Sequence, residues 1–295
     1  MIEIRVAESD ADLELWRQVR LAVLPYELCP PVDELRRTAE PGKLFLVAEL
    51  DGVLAGSGLA GQSDLGGASV APRVLPEARR RGVGTALLRA LADHASQLGY
   101  DRASANCDDP GSFAFAERFG FRETGRQIEQ VRNVGEGEPM PESPAGIELV
   151  PLAERDDLFR RVYEELAVEV LRDVPTPTPL QVTADDWERR WLPWRDASFV
   201  AMADGEIVGC AGLIEDRDQP DRAEHALTAV RRDWRRRGVA KALKQATIAW
   251  ASAHGVRELY TWTQTGNEAM QALNRSLGYV DRHAAVTVAR DLPLA

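Results

Sequence analysis

Arg79-Arg80-Arg81-Gly82-Val83 recurs unchanged as Arg235-Arg236-Arg237-Gly238-Val239, 156 residues further along the chain. The surroundings recur with it, which marks an internal repeat. Upstream, alternating Ile2-Glu3-Ile4-Arg5-Val6 and Ile147-Glu148-Leu149-Val150 predict opening strands, and a helical region follows each. Leu44–Gly56 and Phe199–Gly209 each set an Asp-Gly pair (Asp51-Gly52, Asp204-Gly205) between apolar runs. That pair predicts a hairpin, because its tight turn needs positive φ. Downstream, Val83, Leu87, Leu91, Ala95 and Leu98 fall at helical spacing, as do Val239, Leu243, Ala246, Ala249 and Trp250, so a core-facing helix is expected after each loop. Each half closes with a strand, a short helix and an aromatic ending, Phe119-Gly120-Phe121 or Leu277-Gly278-Tyr279. The stretch 135–146 is rich in Gly, Pro and Glu and reads as a linker. The expected division is therefore a lobe over 1–134, a linker over 135–146 and a second lobe over 147–295.

A strand that feeds a helix through such a glycine loop aims unpaired N–H groups at one point. Glycine removes the Cβ that would hold an anion away, and the helix N-terminus adds about half a positive charge. Together they make a cradle for a diphosphate. A P-loop would need GxxxxGK[ST], which neither copy has. A dinucleotide fingerprint would need a third glycine where Leu87 and Leu243 stand. A single basic turn would be an ordinary solvated feature; two in matching contexts are a reused site.

Composition narrows the classes. The net charge is -11, with 22 acids against 16 bases over residues 1–141 and 25 against 20 over the rest. Both halves are acidic, which counts against nucleic acid. The apolar runs are strand-sized, so no membrane span is expected, and the N-terminus lacks a secretory pattern. Cys29, Cys107 and Cys210 form no CxxC pair and read as small core hydrophobes in a reducing cytoplasm. His94, His254 and His283 lack metal-ligand spacing, so no metal is expected.

The order of elements and the loops Arg79–Gly84 and Arg235–Ala240 resemble the GNAT (GCN5-related N-acetyltransferase) superfamily, whose pyrophosphate loop reads (Gln/Arg)-x-x-Gly-x-(Gly/Ala). The resemblance covers nearly the whole chain, twice. It implies an α+β fold of two tandem lobes, each a mixed, mostly antiparallel sheet flanked by helices. It also implies an acyl-CoA-dependent N-acyltransferase, with acetyl-CoA as donor and a small-molecule or peptide amine as acceptor. By the same resemblance, CoA contacts fall on Val74, Arg79, Arg80, Arg81, Gly82, Val83, Gly84 and Thr85 in the first lobe. In the second they fall on Val230, Arg235, Arg236, Arg237, Gly238, Val239, Ala240 and Asn267.

Many members carry a Glu eleven residues before the loop as general base. Glu224 stands there in the second lobe and Ala68 in the first, which points to the second lobe for catalysis. Regular alternation over 224–230 would put Glu224, Ala226, Thr228 and Val230 on one face and leave His225 a packing residue on the other. Asn267 would touch the pantetheine arm, although Thr265 and Glu268 also fit a capping box. Members often place a Tyr five residues before the terminal aromatic to protonate the leaving thiolate. Asn274 occupies that place here and Ala116 in the first lobe, so Asn274 is the candidate for contact with the sulfur, against a helix-surface amide. One tandem member of similar length carries that Tyr in its active lobe, which disfavours its particular role here.

Two other readings stay open. One is a non-catalytic acyl-CoA sensor or scaffold. The other places catalysis in the first lobe, on Asp64 or Asp109. Pro175–Pro179, leading towards Trp187, Trp191 and Trp194, reads as a specificity loop or a stiff connection. The sequence leaves monomer or homodimer undecided.

Overall fold

Asp51 and Gly52 have φ of 55° and 78°, and Asp204 and Gly205 have 50° and 83°. These are the paired positive angles a two-residue hairpin turn demands. The computed structural model describes residues 1–37, 39–63, 66–153, 155–174, 182–187 and 191–294.

The first lobe comprises Met1–Arg126 and Ala285–Ala295. Its sheet runs β1 (Ile2–Val6), β2 (Leu44–Leu50), β3 (Val53–Gln62), β4 (Ala68–Val74), β5 (Arg102–Cys107). All neighbours are antiparallel except β4 and β5. Helix α1 (Asp10–Val23) starts on a capping box between Ser9 and Asp12; α2 (Val32–Arg37), α3 (Val83–Gln97) and α4 (Pro110–Arg118) follow. Leu87 and Leu91 of α3 are wholly buried against β3 and β4, and losing either side chain should cost about 2–5 kcal/mol. Leu98, expected in that stripe, lies just past the helix end and is 48% exposed. Trp16 and Phe45 fill the other face.

The second lobe comprises Gln127–Ala284. It opens with β6 (Arg122–Asn133), whose first residues lie in the first lobe. Then come β7 (Glu148–Pro151), β8 (Trp194–Ala203), β9 (Glu206–Glu215), β10 (Arg222–Val230) and β11 (Glu258–Gln264). Helix α5 (Asp156–Val162) runs through a π-helical turn, Tyr163–Ala167, into α6 (Val168–Leu171); α7 is Ala184–Asp186. On the opposite sheet face lie α8 (Val239–Ala253) and α9 (Glu268–Ser276).

The lobes trade their closing strands. Residues 127–133 of β6 pair antiparallel with β11. The end of β12 (Val280–Asp291) returns to the first lobe, pairing Val286–Asp291 with β5. The compact units thus do not coincide with the ranges 1–134 and 147–295. The stretch 135–146 lies inside the second lobe, where Ser252 Oγ on α8 donates to the Gly135 carbonyl at 2.7 Å and accepts from the Glu138 N–H at 3.2 Å. Among the described residues no helix is long and apolar enough to cross a membrane.

Candidate active site

In each lobe the two parallel strands separate soon after they meet. β4 and β5 pair only at Ala68↔Ala103 and Ser69↔Ser104; β10 and β11 pair only from Arg222↔Glu258 to Glu224↔Tyr260. Beyond those points the facing backbone groups have no ladder partner, so they line a cleft. At its open end each strand stops at Val74 or Val230 and turns through a 3₁₀ segment, Pro76–Ala78 or Arg232–Trp234. The loops that follow have the same backbone: positive φ at Arg80 (64°) and Gly82 (91°), and at Arg236 (61°) and Gly238 (84°).

Gly82 and Gly238 are the N-caps of α3 and α8, and neither cap carries a side-chain hydrogen bond. The first-turn N–H groups of Val83, Gly84 and Thr85, and of Val239, Ala240 and Lys241, therefore point out of the helix ends, where the dipole favours an anion. The arginines divide the work. Arg79 Nε donates to the Val74 carbonyl at 3.2 Å and Arg235 Nε to the Val230 carbonyl at 3.0 Å, tying each loop to its strand end. Arg81 pairs with Asp51 at 3.1 Å, whereas Arg237 lies over the Trp234 ring at 4.6 Å. Arg235 and Arg232 both clasp Asp173, whose carboxyl they hold at about 2. Arg80 and Arg236 are exposed at the loop tips.

Glu224 sits at the last β10 position paired with β11, half-buried, and its Oε2 accepts from the Tyr260 hydroxyl at 3.4 Å. Burial, then the Glu224 charge, raises the Tyr260 pKa, so the phenol remains a donor. Directly after it, the register with β9 slips between His225 and Thr228. Two β10 residues there face one on β9, a bulge that leaves backbone groups unpaired. The bulge also breaks the expected alternation. Ala223 packs with the α8 face and Leu227 and Ala229 with the α5 face, but Val230 comes back to the α8 face. Val230 therefore does not share the side of Glu224.

Behind Glu224 stands a network that the sequence reading missed. Glu129, fully buried on β6, receives two hydrogen bonds from Arg282, at 2.7 and 2.8 Å, and one from Arg222 at 3.4 Å. Glu258 accepts from Arg222 Nε at 2.8 Å and Arg282 Nη1 at 3.0 Å. The Arg222 guanidinium stacks 3.9 Å from the Tyr260 ring centroid, so four charges brace the ring that touches Glu224. Two arginines inside strand-like sequence were the available signal, but their partners come from two other strands, β6 and β11.

The remaining candidates fall as follows. His225 is buried between the Tyr279 hydroxyl (2.9 Å) and Thr247 Oγ1 (3.2 Å); burial, then the Lys244 charge, keeps it neutral. Asn267 itself is the N-cap of α9, accepting from the Met270 N–H at 3.3 Å, and the Thr265–Glu268 box does not form the helix start. Asn274 is fully buried, not a surface amide, and donates to Gln130 Oε1 at 2.9 Å. Asp109 caps α4; burial raises its pKa, but hydrogen bonds from Ser112 and Gly111 outweigh this and leave it lowered, which suits a cap and not a base. Asp64 and Pro175–Pro179 lie outside the described residues. Trp187 is buried in the core and stacks on Trp191 at 6.3 Å. Burial pushes the Cys107 thiol up to about 11 and Cys210 up to about 12, too high for nucleophiles.

Comparison with known proteins agrees with this geometry. The profile of the Acetyltransferase (GNAT) family matches residues 12–121 and again 160–279. Mycothiol acetyltransferases from Salinispora arenicola and Clavibacter michiganensis are each 30% identical, covering 88% and 85% of this chain and 87% and 80% of their own lengths. Among solved structures, a tandem GNAT protein from the clavulanic acid biosynthesis pathway aligns with TM-score 0.78 at 20% identity, over 99% of this chain and 98% of its own. A GCN5-related N-acetyltransferase from Sphaerobacter thermophilus aligns with TM-score 0.77, also at 20% identity, over 98% and 95%.

Proposed function

The chain belongs to the GNAT acetyltransferase family, and from that premise we propose that its second lobe transfers the acetyl group of acetyl-CoA to a primary amine by direct attack. The observation that carries this reading is Glu224, held by Tyr260 at the closed end of the β10/β11 cleft, where the first lobe has only Ala68.

In this mechanism the diphosphate of acetyl-CoA lies on the first-turn amides after Gly238, with Arg235 fixing the loop and Arg236 supplying charge. The pantetheine arm follows the cleft past Val230 and Asn267 towards the bulge. A bulge N–H there donates to the thioester carbonyl and stabilises the developing oxyanion. Glu224 takes the proton of the attacking amine, directly or through water. Most of the remaining acceleration is positioning. The first lobe keeps the loop of Arg79–Thr85 without a base and serves as a CoA-binding or structural partner. The chain's acidic surface favours a cationic acceptor.

A second reading concerns the acceptor alone: the curated relatives favour the activity their name states, mycothiol acetylation. Asn274, where a terminal Tyr is expected for that role, counts against a simple transfer of it. Acetyl-CoA consumption against a panel of primary amines that includes the mycothiol precursor, with wild type and Glu224→Gln in parallel, tests both readings. Retained turnover in Glu224→Gln would refute the assignment of the base. Tight acetyl-CoA binding without turnover on any amine would favour a sensor instead.

A further inference from the structure

In the first lobe, four buried polar atoms on four separate segments lack a hydrogen-bond partner: Arg20 Nε near the end of α1, Ser57 Oγ on β3, Arg73 Nη1 on β4 and Asp108 Oδ1 just after β5. The sheet register puts them on one face. Val47, Ser57 and Arg73 are direct partners across β2, β3 and β4, and directly opposed residues point the same way. Val47 belongs to the cluster around Trp16, and the Arg73 guanidinium lies 5.9 Å from the Trp16 ring centroid, so this row faces α1. Cys107, the last residue of β5, packs in the cluster on the α3 side, so by alternation Asp108 turns to the α1 side.

The register also sets them on opposite lips of the open gap. β4 and β5 last pair at Ser69↔Ser104, and Arg73 and Asp108 each stand four residues further along. Neither makes an ion pair with a described residue. Arg20 is partly satisfied, since its Nη2 donates to Glu27 at 3.1 Å and to the Leu28 carbonyl at 2.7 Å, which leaves Nε spare. The place is open to solvent: the Arg20 and Glu27 side chains are 15% and 23% exposed, and Arg73 and Asp108 are half-buried.

We propose that this face of the first lobe binds a small amino carboxylate, with its carboxylate on Arg73, Ser57 and Arg20 and its ammonium on Asp108. An unpaired cation and an unpaired anion set across a gap are both satisfied by one molecule that carries the opposite charges. A phosphate would bring no donor to Asp108 and would be repelled by it and by Glu27. Both residues also titrate as groups short of a counter-ion. Burial, then the Arg20 charge, lowers Arg73 from 12.5 to about 10; burial, then the Glu27 charge, raises Asp108 from 3.8 to about 6. A bound carboxylate would reverse the first shift and a bound ammonium the second. The second lobe has Cys210 and Ala229 at the places of Ser57 and Arg73, inside an apolar cluster, so the site belongs to one copy of the repeat. It does not depend on which lobe is catalytic.

The test is calorimetric titration of the whole chain with the common L-α-amino acids, each beside the amine that lacks its carboxylate and the acid that lacks its nitrogen. At least one amino acid should bind, and removing either group should weaken binding about tenfold or more. Ser57→Cys with Arg73→Ala installs the residues that the second lobe carries there, and should abolish binding. Asp108→Asn should weaken the amino acid about tenfold and leave the matched acid unchanged. Absence of binding across the panel would overturn the proposal. So would binding that survives the double substitution, or inorganic phosphate binding as tightly as the amino acid. If the double variant does not fold, Asp108→Asn decides: undiminished binding overturns the site. Glu224→Gln should leave this binding untouched, and its loss there would move the ligand to the second lobe and overturn the site. Acetyl transfer by the same variant reports on the catalytic base alone, so the two readings fail separately.

Discussion

The two lobes share a backbone and differ in which face of the sheet is polar. In the second, Lys244, Thr247, Gln271 and Asn274 are buried on the side of α8 and α9. The first has Leu88, Leu91, Phe113 and Ala116 at the matching helix positions. The other face reverses the pattern. Ser57 and Arg73 are paired across β3 and β4 beside Arg20 and Asp108, whereas their counterparts Cys210 and Ala229 belong to an apolar cluster. Ser57 Oγ, Arg73 Nη1, Arg20 Nε and Asp108 Oδ1 all lack partners among the described residues. Loop and hairpin therefore define the scaffold, while buried polarity distinguishes what each copy can do.

The comparison breaks most sharply at Glu224. Glu224→Gln should lower kcat by about 10²–10⁴-fold while leaving acetyl-CoA affinity intact, and adding Ala68→Glu should restore nothing. Steady-state kinetics with calorimetric binding would check both halves. The next effect is on stability. Glu129→Gln leaves Arg222 and Arg282 without their shared buried carboxylate and should cost about 3 kcal/mol, read as an earlier denaturant midpoint for the second lobe.

Smaller effects sharpen the contrast between the loops. Gly238→Val puts a branched residue at φ of 84° and should raise the KM for acetyl-CoA about tenfold, while Gly82→Val should leave turnover unchanged. The smallest effect concerns Asp108, which burial raises from 3.8 to about 6. Folded protein then holds a proton that unfolded protein has released, so stability falls as pH rises through that interval and the full penalty remains above it. Asp108→Asn should accordingly unfold later than wild type at pH 8, with the difference gone at pH 3 in parallel melts.

What could be read from the sequence was local. Asp51-Gly52, Asp204-Gly205, Gly82 and Gly238 each need a backbone shape that few residues adopt, so they reveal turns and loops directly. The bulge after His225 could not be read, because alternation carries no sign of an inserted residue. The start of α9 was misplaced for a related reason: Thr265 and Asn267 are both competent caps two residues apart. Glu129, Arg222, Glu258 and Arg282 meet only through tertiary pairing. Lys244 was visible as a lysine between Leu243 and Thr247, yet a lysine on a helix usually belongs to its solvated side. Nothing in β6 or β12 announces which sheet will accept it.

That last exchange has a consequence for how the molecule is made and cut. The ribosome must deliver Val286–Asp291 before the sheet begun at Ile2 has its final strand. Until then β5 presents a bare edge, the kind that recruits other chains. Scission at residues 135–146 would release two fragments that each hold a strand the other lacks, so they should reassemble as a split protein and fail when expressed singly.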